Sequence, residues 1–239
     1  PFDEECVDLL EKIGCPIYKI ASFEMTDIPL VKRISQTKKP IIISTGLSNL
    51  TEIEKTVNIA KKNGAREIAL LYCVSSYPAK ISDFNLNNIR IMKKKFKSCT
   101  IGLSDHSLNN DVAKIAISLG AKIIEKHIAL ENQKRGLDIN FSLKGKKIKM
   151  FKQMMDSTHE ALGKNIFYRK KTEKKNKIYR RSIYSTRDIN KNEIFTIKNI
   201  KRIRPSCGLS PEKFEFIIGR KAKRKISAGM PIKMSYIKI

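Results

Sequence analysis

The sequence predicts an α/β fold of the (β/α)8 TIM-barrel kind, followed by a small, mostly β module. Three observations predict it. Short, nearly continuous apolar runs alternate with helical patterns, glycines close those helices just before the next run, and each run ends in small polar or ionisable residues. Apolar runs with helical crossovers describe parallel strands covered on both faces. A doubly wound open sheet fits the alternation as well, but there the chemistry gathers at one switch point, whereas all strands of a barrel share one mouth. Strand after strand ending in reactive groups therefore favours the barrel.

Taken in order, FDEECVDLLEKIG reads as a helix already under way, with early acids and apolar Cys6, Val7, Leu9, Leu10 and Ile13. Because the chain opens on Pro1 within that pattern, the expectation is a chain beginning partway into a barrel, with about five β/α units present and roughly three absent. Such a partial barrel, with two sheet edges exposed, is expected to be poorly stable and to turn over negligibly by itself. Strands are predicted at 16–22 (PIYKIAS), 40–45 (PIIIST), 68–73 (IALLYC), 100–104 (TIGLS) and 122–128 (KIIEKHI), with helices over 28–36, 50–62, 86–97 and 108–119. Gly14, Gly64 and Gly120 sit where helix C-caps belong. An amphipathic helix is predicted over 144–162, with Ile148, Phe151, Met154 and Met155 on one stripe and His159 toward solvent. These elements make residues 1–165 the barrel portion. Residues 166–178, containing YRKKTEKKNK, form a charged linker, and 179–239, with turn signals DINKNE, PSCG and SAGMP, form the β module. A module of that size is only marginally stable alone, so it is expected to pack on a barrel.

The net charge is +26, unevenly placed: 21 Lys/Arg against 16 Asp/Glu through residue 140, then 28 against 7. A basic tail can follow nucleic acid. This one has no Trp and no aromatic interleaving of the kind that stacks on bases, so biased composition explains it better, and anionic small substrates would gain from the same field. Five cysteines without CxxC or zinc-ligand spacing read as reduced thiols of a cytoplasmic protein. No apolar run reaches the ~20 residues that span a bilayer, so no membrane partner is expected.

The most informative stretch is TIGLSDHSLNNDVAKIAISLGAKIIEKHIAL, residues 100–130. As strand, helix and strand it brings two parallel strands side by side, about 4.8 Å apart, so that His106 and His127 become neighbours. Two neutral imidazoles suit a divalent metal. The alternative is a loop His106 and a core His127, each hydrogen-bonded and inert. Other polar residues at the strand ends are Lys19, Ser22 and Glu24; Ser44 and Thr45; Ser75 and Tyr77; Ser104 and Asp105; and Glu125. Alternation turns Glu125 to the interior with His127, as a second-layer partner of the metal site, and Lys126 outward.

KIASFE, ISTG, LLYCVSSYP, GLSDHS and EKHIAL, in that order and spacing, resemble the sialic acid synthase family. RSIY, IRPSCGLSP and GRKAKRKISAGMPI resemble the antifreeze-like (SAF) domain that follows its barrel. GLDINFSL resembles the pseudaminic acid branch, since the neuraminic acid enzymes usually carry Pro after that Gly. The resemblance implies a transferase that condenses phosphoenolpyruvate with 2,4-diacetamido-2,4,6-trideoxy-L-altrose, releasing phosphate. It implies a divalent metal on His106 and His127, with Mn2+ favoured over Mg2+ because imidazole is a soft ligand for magnesium. It further implies phosphoenolpyruvate contacts from Lys19, Ser22, Ser44 and Ser104, and proton transfer by Glu24, for which a surface salt bridge is the plain alternative. Tyr77, implied as catalytic, and Ser75, implied as a substrate contact, come from the loop after the third strand; Ser75 stands where the neuraminic acid branch commonly has Asn. Asp138 is implied as a sugar contact. Arg204 is implied to reach the sugar's acyl group from the partner subunit of a domain-swapped homodimer. A neuraminate or legionaminate synthase with the same mechanism is the nearest rival. A basic module binding anions or nucleic acid is a rival of another class, distinguished by salt-dependent oligonucleotide binding without phosphate release.

Overall fold

The computed structural model describes residues 1–239, which divide into two compact units, Pro1–Gly163 and Lys164–Ile239. The first opens with α1 (Glu4–Lys12), followed by β1 (Tyr18–Ile20), α2 (Ile28–Gln36), β2 (Ile41–Ser44), α3 (Leu50–Lys62), β3 (Ile68–Cys73), α4 (Asn87–Lys95), β4 (Thr100–Asp105), α5 (Asn110–Ser118) and β5 (Ile124–Lys126). Beyond β5 come β6 (Ile128–Ala129), β7 (Leu143–Lys144) and α6 (Lys146–Leu162). β1 to β5 form one parallel sheet in consecutive order, the order of neighbouring barrel strands and not of a doubly wound sheet.

The sheet curls steeply. In a flat sheet, β1 and β5 would stand about 19 Å apart at ~4.8 Å per strand. Yet Lys19 Nζ of β1 lies 3.5 Å from Glu125 Oε1 of β5, so the interior faces of the outermost strands turn toward one another. Tyr18, Ile20, Ile41, Ile43, Leu70 and Leu103 pack with Leu30, Ile34, Val57, Ile89 and Val112 from the helices, forming the main apolar core. α5 and α6 share a smaller cluster of Ala113, Ile117 and Met155.

Local chemistry fixes the helix starts. α1 is not a helix in progress at Pro1: the Asp3 carboxylate accepts from the Cys6 amide at 2.7 Å and caps a helix that begins at Glu4. Only Val7 of its apolar set is buried, while Leu9 and Ile13 are exposed. Asn49 and Glu52 form a reciprocal capping box on α3. α5 begins two residues later than its apolar pattern, because Asn109 turns its side chain onto the Asp111 amide.

The expected strand over 122–128 divides. β5 leaves its ladder with β4 after Lys126, the His127 carbonyl accepts from the Leu143 amide at 2.9 Å, and β6 then pairs with β7. His127 thus sits at the point where the chain changes partners.

The second unit begins with a charged segment that carries a short helix, α7 (Lys171–Lys175), all of it exposed. β8 (Ser182–Ser185) pairs antiparallel with β9 (Ile200–Ile203), and isolated bridges extend this framework around α8 (Phe214–Ile217). Its own core comprises Ile183, Ile189, Phe195, Ile200, Ile217 and Ile232, with smaller partners. Gly208 lets strands meet closely, since a Cβ there would press on the carbonyls of Ile183 and Ile232. All five cysteines are free thiols, and no helix is long and apolar enough to cross a membrane.

Candidate active site

Because the strands run parallel and in order, their C-terminal ends form one rim. β1 delivers Lys19 and, just beyond it, Ser22 and Glu24; β2 delivers Ser44; the segment after β3 delivers Ser75 and Tyr77; β4 and β5 deliver Ser104, Glu125, His106 and His127. Ser22, Ser44, Ser104 and His106 are buried.

The register between β4 and β5 explains the pairing of the imidazoles. Ser104 stands opposite Glu125, and Asp105 opposite Lys126. One step further, the rings of His106 and His127 lie 5.2 Å apart, centre to centre, and 67° from coplanar. His106 Nδ1 is 3.0 Å from the Val74 carbonyl, which can only accept, so the proton sits on Nδ1 and Nε2 keeps its lone pair. Asp138 Oδ2 lies 3.3 Å from Nδ1 of His127, an ion-pair contact between partly exposed side chains. For His106 this leaves one nitrogen engaged behind and the other free in front, as in an imidazole prepared to act as a ligand.

A cation about 2.1 Å from each ring nitrogen lies about 3.2 Å from each ring centre, so ligand angles near 90–109° separate the centres by roughly 4.6–5.3 Å. The observed 5.2 Å falls within that interval. The ring spacing accommodates a shared ion, and no group of three or more His, Cys, Asp or Glu is placed to hold one. An ion held by two imidazoles alone would leave most of its coordination positions to water or other ligands.

Around the rings the site is part aromatic, part polar. The Tyr77 ring lies 4.4 Å from that of His106, tilted by 43°, and Phe141 lies 5.0 Å from His127 and 5.5 Å from Tyr77. Burial raises the pKa of the Tyr77 phenol. Cys73 Sγ is 3.9 Å from His106 Nδ1 and 3.8 Å from Ser75 Oγ. Burial pushes that thiol up, but contacts with His106, Ser22 and Ser75 outweigh it and bring the thiol below its usual range. Burial alone would lower the basicity of His106, yet contacts with Cys73 and the Val74 carbonyl raise it. Ser104 donates to Glu125 Oε1 at 2.7 Å, and the same oxygen faces Lys19. The Gly46 amide donates to Ser22 Oγ at 3.0 Å.

Two buried polar atoms, Glu24 Oε2 and Ser44 Oγ, have no hydrogen-bond partner, and Glu24 makes no salt bridge. Folded proteins leave few such atoms unpaired, so each calls for a partner from bound water or a ligand.

Most of the candidate residues named from sequence meet on this rim. Glu125, expected behind a metal ligand, instead bonds Ser104 and Lys19. Lys126, expected outward, does leave the interior face, but it is buried there and ion-paired with Asp105 at 2.8 Å, because the helix layer covers that face. Arg204 is exposed in the second unit, directly after β9. Phe141, Cys73 and Gly46 were not singled out by sequence, and Asp105 and Lys126 were named separately but not as a pair. The one available signal was the step-two alternation, which places Asp105 and Lys126 on the face opposite their histidines.

The profile of the NeuB family matches residues 1–167, and that of the SAF domain matches residues 180–238. An N,N'-diacetyllegionaminic acid synthase of Campylobacter jejuni is 39% identical over 94% of this chain and 68% of its own length. A pseudaminic acid synthase of Campylobacter jejuni is 37% identical over 98% of this chain and 68% of its own length. Among solved structures, a putative spore coat polysaccharide biosynthesis protein E from Chromobacterium violaceum superposes with a TM-score of 0.73 at 27% identity, covering 100% of this chain and 72% of that one.

Proposed function

The chain belongs to the NeuB family, and from that premise we propose that it condenses phosphoenolpyruvate with 2,4-diacetamido-2,4,6-trideoxy-L-altrose, yielding pseudaminic acid and phosphate. The observation that carries the reading is the unpaired Glu24 Oε2 and Ser44 Oγ on the rim that also presents Lys19 and the two imidazoles. A ligand that satisfies them needs hydrogen-bond donors as well as anionic acceptors, and phosphoenolpyruvate with a polyhydroxyl aldehyde offers both.

In this reading the Lys19 ammonium and the hydroxyls of Ser22, Ser44, Ser75 and Ser104 hold the phosphate and carboxylate by charge-assisted hydrogen bonds. Glu125 keeps Lys19 in place beside Ser104. His106 and His127 would hold a divalent cation, Mn2+ in preference to Mg2+, and a cation there would supply Lewis-acid polarisation of the sugar aldehyde. Glu24 moves the proton, either at the sugar hydroxyl or at the water that attacks the former enol carbon before phosphate leaves. Tyr77 closes over the His106 ring and limits water there. Asp138, which already faces His127, also receives a sugar hydroxyl. Arg204 of the partner subunit in a homodimer reaches the acyl group. The proposal places the reaction in the cytoplasm.

The test is an assay of the protein as its cell makes it, with phosphoenolpyruvate, Mn2+ and each of three sugars: the diacetamido altrose, the diacetamido hexose that gives legionaminic acid, and N-acetylmannosamine. Phosphate release with a nine-carbon 2-keto acid, fastest for the altrose, is expected. Preference for the legionaminate precursor, the product named for the relative at 39% identity, overturns the sugar assignment; no phosphate from any pair overturns the reaction.

A further inference from the structure

β4 and β5 are tied together by side chains on both faces of the sheet, at successive register steps. On the interior face Ser104 donates to Glu125 at 2.7 Å. On the helix-covered face Lys126 Nζ reaches Asp105 Oδ2 at 2.8 Å, with side-chain exposures of 6% and 0%. The same ammonium donates to the Ser107 carbonyl, and the other Asp105 oxygen accepts from the Ser107 amide at 2.8 Å. The ladder ends at this pair, and the next residue on each strand is a histidine. Beyond it the strand ends separate: the His106 carbonyl takes the Ala79 amide, and the His127 carbonyl takes the Leu143 amide. The backbone on either side thus draws the two histidines toward different neighbours, and the last link between their strands is a buried ion pair.

We propose that Asp105 and Lys126 are positioning residues that fix the spacing and orientation of His106 and His127, and so the affinity of the pair for a divalent cation. The proposal deepens the metal reading above and rests on it. A buried ion pair contributes little net stability over apolar residues of like volume, but it defines geometry, because its short bonds are satisfied in one arrangement only. Supports behind metal ligands typically change affinity by about 10–100-fold when removed.

The experiment uses the protein as its cell makes it and compares Lys126→Met, the double variant Asp105→Asn with Lys126→Met, Lys126→Arg, and Ile34→Val, a core change remote from the rim. The double variant leaves no lone buried carboxylate, so it remains interpretable if Lys126→Met does not fold. Two quantities are read: Mn2+ affinity by electron paramagnetic resonance of the free ion, and, without metal, the His106 tautomer from long-range 1H–15N spectra. Expected are a roughly 10–100-fold weaker Mn2+ affinity and a mixed tautomer in both Met variants, near-parental values for Lys126→Arg, and no change in affinity for Ile34→Val. Met variants that fold, bind Mn2+ like the parent and keep the Nδ1–H tautomer overturn the clamp, as does an equal loss in Ile34→Val. A parent that binds no Mn2+ overturns the metal reading, and the tautomer then decides the clamp alone: retained in the folded double variant, it overturns the positioning role, and mixed, it supports it.

Discussion

Lys19 and Glu125 lie on the first and fifth strands of the sheet, yet their charged atoms stand 3.5 Å apart across its interior face. The contact records the curl that brings strand ends distant in sequence to one site. It also holds an ammonium, about one-third exposed, where an anionic substrate would meet it.

Removing that ammonium separates the two substrates. Lys19→Ala is expected to raise the KM for phosphoenolpyruvate by roughly 10–100-fold, the size of a lost hydrogen bond to a charged group, and to change the sugar KM by about threefold at most. Steady-state kinetics with each substrate varied in turn provides the check; equal shifts would contradict the assignment of Lys19 to the anion.

Gly46 makes a second, sterically based case. A Cβ there would run into Ser75 Oγ and Ser22 Oγ, the ends of two side chains that can rotate away. Gly46→Ala should therefore cost only about 1–3 kcal/mol of stability in urea unfolding, while displacing both hydroxyls and raising the KM for phosphoenolpyruvate several-fold. A variant with wild-type kinetics would show that neither hydroxyl holds the substrate.

Acid sensitivity follows from two carboxylates away from the site. Glu11 accepts from Lys39 at 2.6 Å and from Tyr18 at 2.5 Å, and these bonds hold it below the usual glutamate range. Glu193 is lowered by the Asn190 amide at 2.8 Å and by Arg187 at 2.7 Å. Both pKa values are depressed on folding, so their stabilising contribution is full above the ordinary glutamate range and disappears as the pH falls through the folded values. Thermal unfolding in steps from neutral to acid pH should show declining Tm over that window, with a shallower decline in Glu11→Gln and Glu193→Gln.

The second unit supplies a test that depends on assembly. Arg204→Ala is expected to raise the sugar KM much more than that of phosphoenolpyruvate, because only the sugar carries the acyl group assigned to it. Mixing Arg204→Ala with His106→Ala protomers should restore part of the activity if Arg204 acts on the neighbouring subunit; no recovery would contradict the swapped arrangement.

The sheet was legible in the sequence because each strand is a short apolar run closed by a polar residue, and the helices over 28–36 and 50–62 match α2 and α3 residue for residue. The last strand was not, since KIIEKHI carries no mark of where it exchanges β4 for β7; that break is set by the Leu143 amide, sixteen residues beyond His127. The start of α5 was obscured by Asn109, whose side chain competes with the helix backbone. At the site, residue types at strand ends pointed to Lys19, Ser22, Ser44, Ser104, His106 and His127. Periodicity also turned Lys126 away from the interior correctly. Its burial against Asp105 depends on how the helix layer packs, which strand periodicity does not encode. Phe141 belongs to a loop, and nothing in its sequence neighbourhood places it 5.0 Å from His127.

The proposed chemistry turns on one cation shared by His106 and His127. Electron spin echo envelope modulation of the Mn2+-loaded protein reads it directly, because each bound imidazole imposes its own 14N modulation on the ion. A two-imidazole pattern is expected in the parent and a one-imidazole pattern in both His106→Ala and His127→Ala, with kcat/KM lower by roughly 10²–10³-fold in each. A parent spectrum without imidazole nitrogen, or one unchanged by either substitution, contradicts it.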